Sequence, residues 1–239
     1  MANFIRTSTL ALVGTLLLTV VTSAQGGILI GDNPTAGNIF PFTSDGVLAT
    51  PGTRYQQVYD SSFFSGITTI NSLTFFNTST AGAVFTEADY SFSLSTSRHP
   101  VDALNTTDLD DNPGSDAVVF ATVHLSGPTG SSFTIVAGAG GGSTFTYDPS
   151  AGDLLVDIVR TNIVADSGSG SLDSYNGDAN GIFSRAQNYG LSNAGWGLTT
   201  EFGVEIQAVP EPSTMISMAL GLSMAGLYGL RRRHAARVS

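Results

Sequence analysis

The stretch that decides the fold is Tyr90-Ser91-Phe92-Ser93-Leu94-Ser95, in which large side chains alternate with serines. This period of two sends the large side chains to one face of a strand and the serines to the other. Phe202-Gly203-Val204-Glu205-Ile206-Gln207 repeats the pattern. Both stretches therefore predict half-buried strands with one face toward water.

Further stretches are rich in β-branched and aromatic residues and are separated by turn-forming Gly, Pro, Asn and Asp. No stretch of the region 25–208 shows a helical apolar stripe of useful length. Short strands with regular turns predict an all-β domain, an antiparallel two-sheet sandwich of jelly-roll-like type. The further predicted strands are Arg54 to Asp60, Ile70 to Asn77, Ala117 to Leu125, Ser131 to Val136, Thr144 to Tyr147 and Asp153 to Thr161.

The predicted core consists of large apolar residues assigned to the inward faces of these strands or next to them. Its members are Tyr55, Val58, Phe64, Leu73, Phe75, Phe92, Leu94, Phe120, Ile135, Phe145, Leu155, Ile158, Val204 and Ile206.

The composition is that of an acidic exported protein. The chain has no cysteine and no lysine, and every acidic residue except Glu211 lies between residues 25 and 209, against four arginines there. Such a surface repels nucleic acid and anionic membranes, so we expect no nucleic-acid partner. The absence of cysteine means that the domain must be held by its core, or by its core and bound ions.

The first 24 residues read as a secretory signal peptide. Arg6 is followed by an uncharged, mostly apolar stretch from Ala11 to Val21, and Thr22-Ser23-Ala24 places small residues before the expected cut by signal peptidase. Residues 25–208 are then the exported domain, which is long enough to bury a sizeable core.

The C-terminal segment, residues 209–239, reads as a membrane anchor. Residues 213–230 carry no charge, and a helix of 18 residues spans about 27 Å at 1.5 Å per residue, close to the ~30 Å hydrocarbon core of a bilayer. The basic stop formed by Arg231, Arg232 and Arg233 begins a tail, residues 231–239, that the positive-inside rule places in the cytoplasm.

The order Pro210-Glu211-Pro212, apolar helix and basic stop resembles the PEP-CTERM sorting signal of Gram-negative bacteria. The resemblance implies recognition by an integral-membrane exosortase and cleavage at or near the three-residue motif. It further implies residence in the inner membrane during sorting, followed by release to the cell surface or an exopolysaccharide matrix. The preceding domain is similar to exported β-domains that often carry such tails, and it resembles no characterised family.

Catalytic motifs are sparse. The nearest approaches to a nucleophile elbow, Gly190-Leu191-Ser192-Asn193-Ala194 and Gly221-Leu222-Ser223-Met224-Ala225, lack the final glycine. Only His99 and His124 fall in the exported region, which is too few for a three-histidine zinc site. Paired carboxylates of a glycosidase are defined by spatial and not sequential spacing, and the region holds three glutamates, Glu87, Glu201 and Glu205. We therefore expect no enzymatic activity, and a glycoside hydrolase, whose paired carboxylates would meet only in the folded chain, is the lowest-ranked alternative.

The best candidate for a cofactor is calcium, which prefers clustered oxygen ligands. Residues 108–116 supply oxygens in quick succession, although Pro113 stands where an EF-hand needs glycine. The alternative is a solvated acidic turn. The candidate ligands are Asp108, Asp110, Asp111, Asn112 and Asp116.

Residues 166–197 break the strand pattern and are rich in Gly, Ser and Asn, which predicts a long irregular loop. The loop contains Tyr175, Tyr189 and the single tryptophan, Trp196. Two functions therefore compete. The first is a non-catalytic structural or adhesive protein of the surface or extracellular matrix. The second is a carbohydrate-binding module for exopolysaccharide, in which these three aromatic rings are stacking platforms.

Overall fold

The structure is a computed structural model of the 239-residue chain, and it describes residues 24–31, 35–43, 53–78, 82–165, 168–177, 181–188 and 193–206. The described residues belong to one compact unit, Ser23–Gln207. The predicted signal peptide up to residue 23, the sorting motif, the predicted membrane helix and the basic tail lie outside them, and the boundaries proposed for these segments stay predictions.

The described residues form strands connected by turns and by single turns of 3₁₀ helix. The strands are β1 (Ala24–Ile30), β2 (Thr35–Asn38), β3 (Thr53–Tyr59), β4 (Thr68–Phe76), β5 (Glu87–Thr96), β6 (Val118–Leu125), β7 (Ser132–Val136), β8 (Phe145–Tyr147), β9 (Leu154–Ala165), β10 (Leu172–Asn176), β11 (Phe183–Gln187), β12 (Asn193–Ala194), β13 (Trp196–Leu198) and β14 (Thr200–Ile206). The 3₁₀ turns are η1 (Ser61–Phe63), η2 (Leu109–Asp111), η3 (Ala139–Gly141) and η4 (Pro149–Ala151). Within the described ranges no helix is long and apolar enough to cross a membrane.

The described strands form three antiparallel sheets. The five-stranded sheet has the order β1-β14-β4-β7, with β8 also paired to β4. The six-stranded sheet has the order β12-β11-β3-β9-β5-β6, and a small sheet has the order β13-β10-β2. All pairings between these strands are antiparallel, which confirms the predicted all-β class.

The two larger sheets pack through aromatic side chains. The ring of Tyr59 on β3 meets that of Phe202 on β14 edge to face at 4.9 Å, and Phe42 lies 5.0 Å from Phe75 and 6.1 Å from Phe92. Such contacts add about 0.5–1.5 kcal/mol to the hydrophobic gain of burying each ring. This packing is that of a sandwich; the jelly-roll-like connectivity stays a prediction.

Every member of the predicted core whose side chain is described is buried, at most 4 % exposed, but Val58 and its partner Leu155 lie on the outer face of the six-stranded sheet and not in the aromatic core. The side chain of Ile206 lies outside the described set. Sequence reasoning missed Phe42, which follows no strand pattern yet is fully buried between the sheets. It also missed Arg160, which is fully buried and donates from Nη1 to the carbonyl oxygen of Pro41 at 3.2 Å.

The predicted irregular loop of residues 166–197 is wrong in part, since β10, β11, β12 and the start of β13 fall inside it. Strand β11 is buried along its whole length although three of its five residues are polar. Polar residues are buried on both of its faces, so the sequence shows no apolar alternation. Among them, Ser184 Oγ accepts from the backbone N–H of Asp102 at 2.9 Å.

The first and last strands of the domain are neighbours. Strand β1 pairs with β14 over its whole length, from Ala24 opposite Ile206 to Ile30 opposite Thr200. The two ends of the described fold therefore lie side by side at one corner of the five-stranded sheet.

Candidate functional site on the outer face of the six-stranded sheet

The segment that carries the predicted calcium ligands covers the outer face of the six-stranded sheet. We call residues 98–116, which join β5 to β6, the acidic cover. Residues 54, 56 and 58 of β3 point away from the aromatic core, because alternate strand residues face opposite sides and Tyr55 and Tyr59 face inward. The cover lies over this outer face, as its contacts show.

Two buried amides attach the cover to the sheet. Asn112 is fully buried; its Nδ2 donates to Gln56 Oε1 at 2.7 Å and to the carbonyl oxygen of Asn105 at 2.9 Å. Gln56 Nε2 in turn donates to the carbonyl oxygen of Leu109 at 2.9 Å. Asn112 Oδ1 accepts from the N–H of Asn105 at 2.7 Å. The side chain of Asn112, a predicted calcium ligand, thus attaches the cover to the sheet.

An arginine links the cover to the sheet by charge. Arg54 Nε donates to Asp157 Oδ1 at 2.9 Å, and its Nη1 contacts Asp110 Oδ1 at 2.5 Å. The side chains of Arg54 and Asp157 are 19 % and 10 % exposed, whereas Asp110 is 88 % exposed. The hydrogen bond to Asp157 is the largest of the effects that raise the pKa of Arg54, against the opposing effect of burial. The guanidinium therefore remains charged and joins a strand to the cover.

A histidine and an aspartate pair within the cover. His99 Nε2 lies 2.9 Å from Asp111 Oδ2, and Asn105 Nδ2 donates to the same oxygen at 3.2 Å. These hydrogen bonds, that of His99 first, lower the pKa of the Asp111 carboxyl. Ser97 is close by, but its hydroxyl donates to the backbone carbonyl of His99 at 2.6 Å and accepts from the backbone N–H of the same residue. The serine is thus engaged with the backbone rather than aligned by the imidazole as a nucleophile.

The remaining candidate ligands stabilise backbone turns. Asp108 accepts from the N–H of Asp110 at 3.0 Å and begins the 3₁₀ turn η2. Asp116 accepts from the N–H of Thr96 at 3.0 Å and from its hydroxyl at 2.7 Å. The five predicted ligands therefore share one segment but have separate protein partners. No group of three or more His, Cys, Asp or Glu residues placed to hold a metal ion occurs in the part of the chain that the structure describes. Calcium binding stays a prediction.

The second histidine lies on the edge of the same sheet. His124 Nδ1 is 2.9 Å from Asp89 Oδ1, and its Nε2 is 3.6 Å from Glu87 Oε1. Asn162 and His124 lower the pKa of the Asp89 carboxyl by hydrogen bonding, Asn162 more strongly. Glu201 and Glu205 lie on β14, in the other large sheet. The three glutamates are therefore divided between the two sheets.

The aromatic residues predicted to stack on sugars are separated. Tyr189 lies outside the described residues. Tyr175 pairs with Gly197, and Trp196 pairs with Asn176, so consecutive register positions put the two rings on opposite faces of the small sheet. Tyr175 packs edge to face on Phe183 at 6.0 Å, while the guanidinium of Arg185 lies 5.2 Å from the centre of the Trp196 ring. The two rings therefore do not form one platform.

The residues that hold the cover were not recognisable as a site in the sequence. The sequence contains one indication of these contacts. Gln56 and Gln57 are adjacent in a strand that is otherwise rich in large residues. Polar side chains on both faces of a buried strand require hydrogen-bond partners on both sides. Gln57 finds its partners at β13, where it exchanges two hydrogen bonds with the backbone of Leu198 at 2.8 and 3.0 Å.

Comparison with known proteins gives one result, for the C-terminal segment. Residues 208–233 match the family model of the PEP-CTERM protein-sorting motif. Neither the curated proteins nor the solved structures contain a match to this chain. The chain thus carries a PEP-CTERM sorting motif, and this motif supports an exosortase-sorted protein that is exported through membrane-associated sorting to the cell surface.

Proposed function

We propose that this chain is a non-catalytic structural or adhesive protein of the cell surface or extracellular matrix, whose β-domain is the cargo of an exosortase. The observation that carries the proposal is the sorting motif matched at residues 208–233. In this view a signal peptidase removes residues 1–24, the helix of residues 213–230 holds the chain in the inner membrane, and the exosortase then releases the domain.

The organisation of the domain supports this view. The last strand, β14, ends at Ile206, and the sorting motif begins two residues later. The carboxylates of the acidic cover, which would be the first candidates for acid–base chemistry, have structural partners in Arg54, His99 and Thr96. A domain whose charged groups maintain its own fold suits a structural role.

The sorting function is tested by replacing Pro210, Glu211 and Pro212 with alanine together. We expect the variant to stay with the membrane fraction, whereas the unmodified chain is released. Fractionation followed by immunoblotting of the domain measures this. The matched control replaces the neighbouring Ser213 and Thr214 with alanine and should be released normally. Release of the triple variant at the normal rate would refute the proposal.

Carbohydrate binding is the second candidate, and Trp196 is the observation that favours it. Its ring is partly exposed, and Arg185, which is 7 % exposed, holds it by a cation–π contact. A glycan array with the unmodified chain and with Trp196→Ala separates the two functions. Binding that is lost in the variant would favour the carbohydrate-binding module; under our proposal neither protein binds.

A further inference from the structure

One edge of the six-stranded sheet is formed by β6, which pairs with β5 alone among the described strands. The pairing of β5 with β6 has an irregularity between Phe92 and Ser93, where Phe120 is the extra residue on β6. The free side of an edge strand presents unpaired N–H and C=O groups, and these groups can pair with a strand of another molecule.

The glycine-rich stretch that follows β7 is folded against this free side. We call residues 137–143 the edge loop. The N–H of Gly138 donates to the carbonyl oxygen of Phe120 at 3.0 Å, and the N–H of Ser143 donates to that of Val119 at 3.0 Å. The loop therefore uses two acceptors that a further strand would need for pairing. It comes from the other large sheet, because β7 and β8 on either side of it both pair with β4.

The closeness of this contact explains the glycines. Gly142 has an ordinary extended conformation, φ −74° and ψ −171°, yet a Cβ atom there would overlap the carbonyl group of Phe120 and lie 2.8 Å from Ala121 N. A Cβ atom at Gly140 would overlap the carbonyl oxygen of Thr122. Gly141 differs: its φ of +89° favours glycine, but a Cβ atom there would meet nothing within 4 Å. Gly142 is thus small because β6 is near, and Gly140 both for that reason and because of its φ of +62°.

We propose that the edge loop is a guard that prevents β6 from pairing with the β6 strand of a second copy of this chain. The guard acts by occupying the carbonyl groups of Val119 and Phe120 at the irregular part of the strand. The side chain of Val119, 49 % exposed, lies at the guarded position. Displacing the loop would expose an apolar, hydrogen-bonding edge that is complementary to itself in an antiparallel dimer.

The test is a matched pair of substitutions in the full-length chain. Gly142→Ala introduces the overlap with Phe120 without a strained φ, and Gly141→Ala introduces the strained φ without an overlap. Since the chain contains no cysteine, Val119→Cys in each background reports whether two β6 strands meet. Analytical ultracentrifugation measures association, and disulfide formation at position 119 locates it.

We expect Gly142→Ala to dimerise and to cross-link through position 119, with the association constant raised about tenfold, because two backbone acceptors are freed for a partner. Gly141→Ala should remain monomeric. Ser143→Pro, which removes the N–H donated to Val119, gives a second route should Gly142→Ala fail to fold, and should act in the same direction. Monomeric behaviour of the folded variants, or dimers that do not cross-link at position 119, would overturn the proposal.

Discussion

The two faces of the six-stranded sheet are both covered, but by different kinds of contact. On the inner face Tyr59 and Phe92 meet the rings of Phe202 and Phe75, and the contacts are largely aromatic. On the outer face Gln56 and its neighbours meet the acidic cover through amide and ionic hydrogen bonds. The difference shows that polar residues on a strand need not face water, provided that a later segment brings matching donors and acceptors.

The two faces also differ in what the loss of one contact costs in stability. When one ring of the inner face is lost, a cavity and the loss of its ring contacts follow, but no charge or hydrogen-bonding group is left without a partner. The outer face depends on complementary pairs, and the loss of one partner leaves the other buried without compensation. Stability should therefore respond to mutations on the two faces in different ways.

The largest effect is expected from the inner face. Phe202→Ala should lower the free energy of unfolding by about 3–5 kcal/mol, because it creates a cavity among Tyr59, Phe64 and their neighbours. Urea denaturation, followed by the fluorescence of Trp196, measures this. The control Phe63→Ala removes the same kind of side chain at a position that is 38 % exposed and should have a much smaller effect. Equal effects of the two variants would contradict the proposed inner core.

The second-largest loss of stability is expected on the outer face, from the removal of an ion pair. Arg54→Ala should cost about 2–4 kcal/mol, since it leaves the nearly buried carboxylate of Asp157 with Gln56 as its remaining donor. Arg98→Ala is the control: this arginine is 56 % exposed and lies 3.5 Å from Asp111, so its loss should cost less than about 1 kcal/mol. The same urea titrations measure both variants. If the two variants lose equal stability, the acidic cover is not held by the buried ion pair.

Alkaline pH should affect the few ionisable groups of the inner face. Burial raises the pKa of Tyr55 to about 12, from about 10 in an unfolded chain. A group with a raised folded pKa contributes stability that is complete below the unfolded value and is lost as pH rises through the folded value. We therefore expect Tyr55 alone to account for a loss of about 2–3 kcal/mol between about pH 10 and 12, in addition to what Tyr59 and Tyr90 contribute, because burial raises their pKa as well. Tyr55→Phe should reduce this pH dependence, and measurements of the free energy of unfolding at several pH values would detect the change. If the pH dependence is the same in Tyr55→Phe, other groups cause the loss.

Calcium should have the smallest effect. An ion at the cover would have to compete with Arg54 for Asp110 and with His99 for Asp111. These contacts should keep calcium from occupying the cover. Because a ligand stabilises a protein only when it is bound to the folded state, we expect a chelator to leave the melting temperature of the chain unchanged. A rise in melting temperature on adding calcium, abolished in Asp111→Asn, would instead support the predicted calcium site and change the interpretation of the outer face.

Much of the fold could be predicted because it follows from short-range periodicity. The alternation of Phe92 and Leu94 with serines lies in β5, and the similar alternation around Val204 lies in β14. Strand β11 could not be predicted in this way, because both of its faces are buried and a polar residue such as Ser184 has its partner in a distant segment. The sequence pattern does not show which distant residues will become such partners.

For the site, only its acidic composition could be predicted from the sequence. The run from Asp108 to Asp116 is acidic in the sequence, but its role depends on Arg54 and Gln56, which are more than 50 residues away. Oxygen-rich segments look alike whether their partner is a cation or an arginine. The choice between them is made by residues that come close only in the folded chain.

The neighbouring positions of the two ends of the described domain have a mechanical consequence. Once residues 1–24 are removed, Gln25 and Glu205 are the first pair of the β1–β14 ladder, so a load applied between the two ends would act on that pair before any other. The strands would then open pair by pair, as a zipper does, instead of sliding past each other with the whole ladder resisting at once. A protein anchored at one end and pulled at the other would yield first at β1, while the sandwich behind it stays closed.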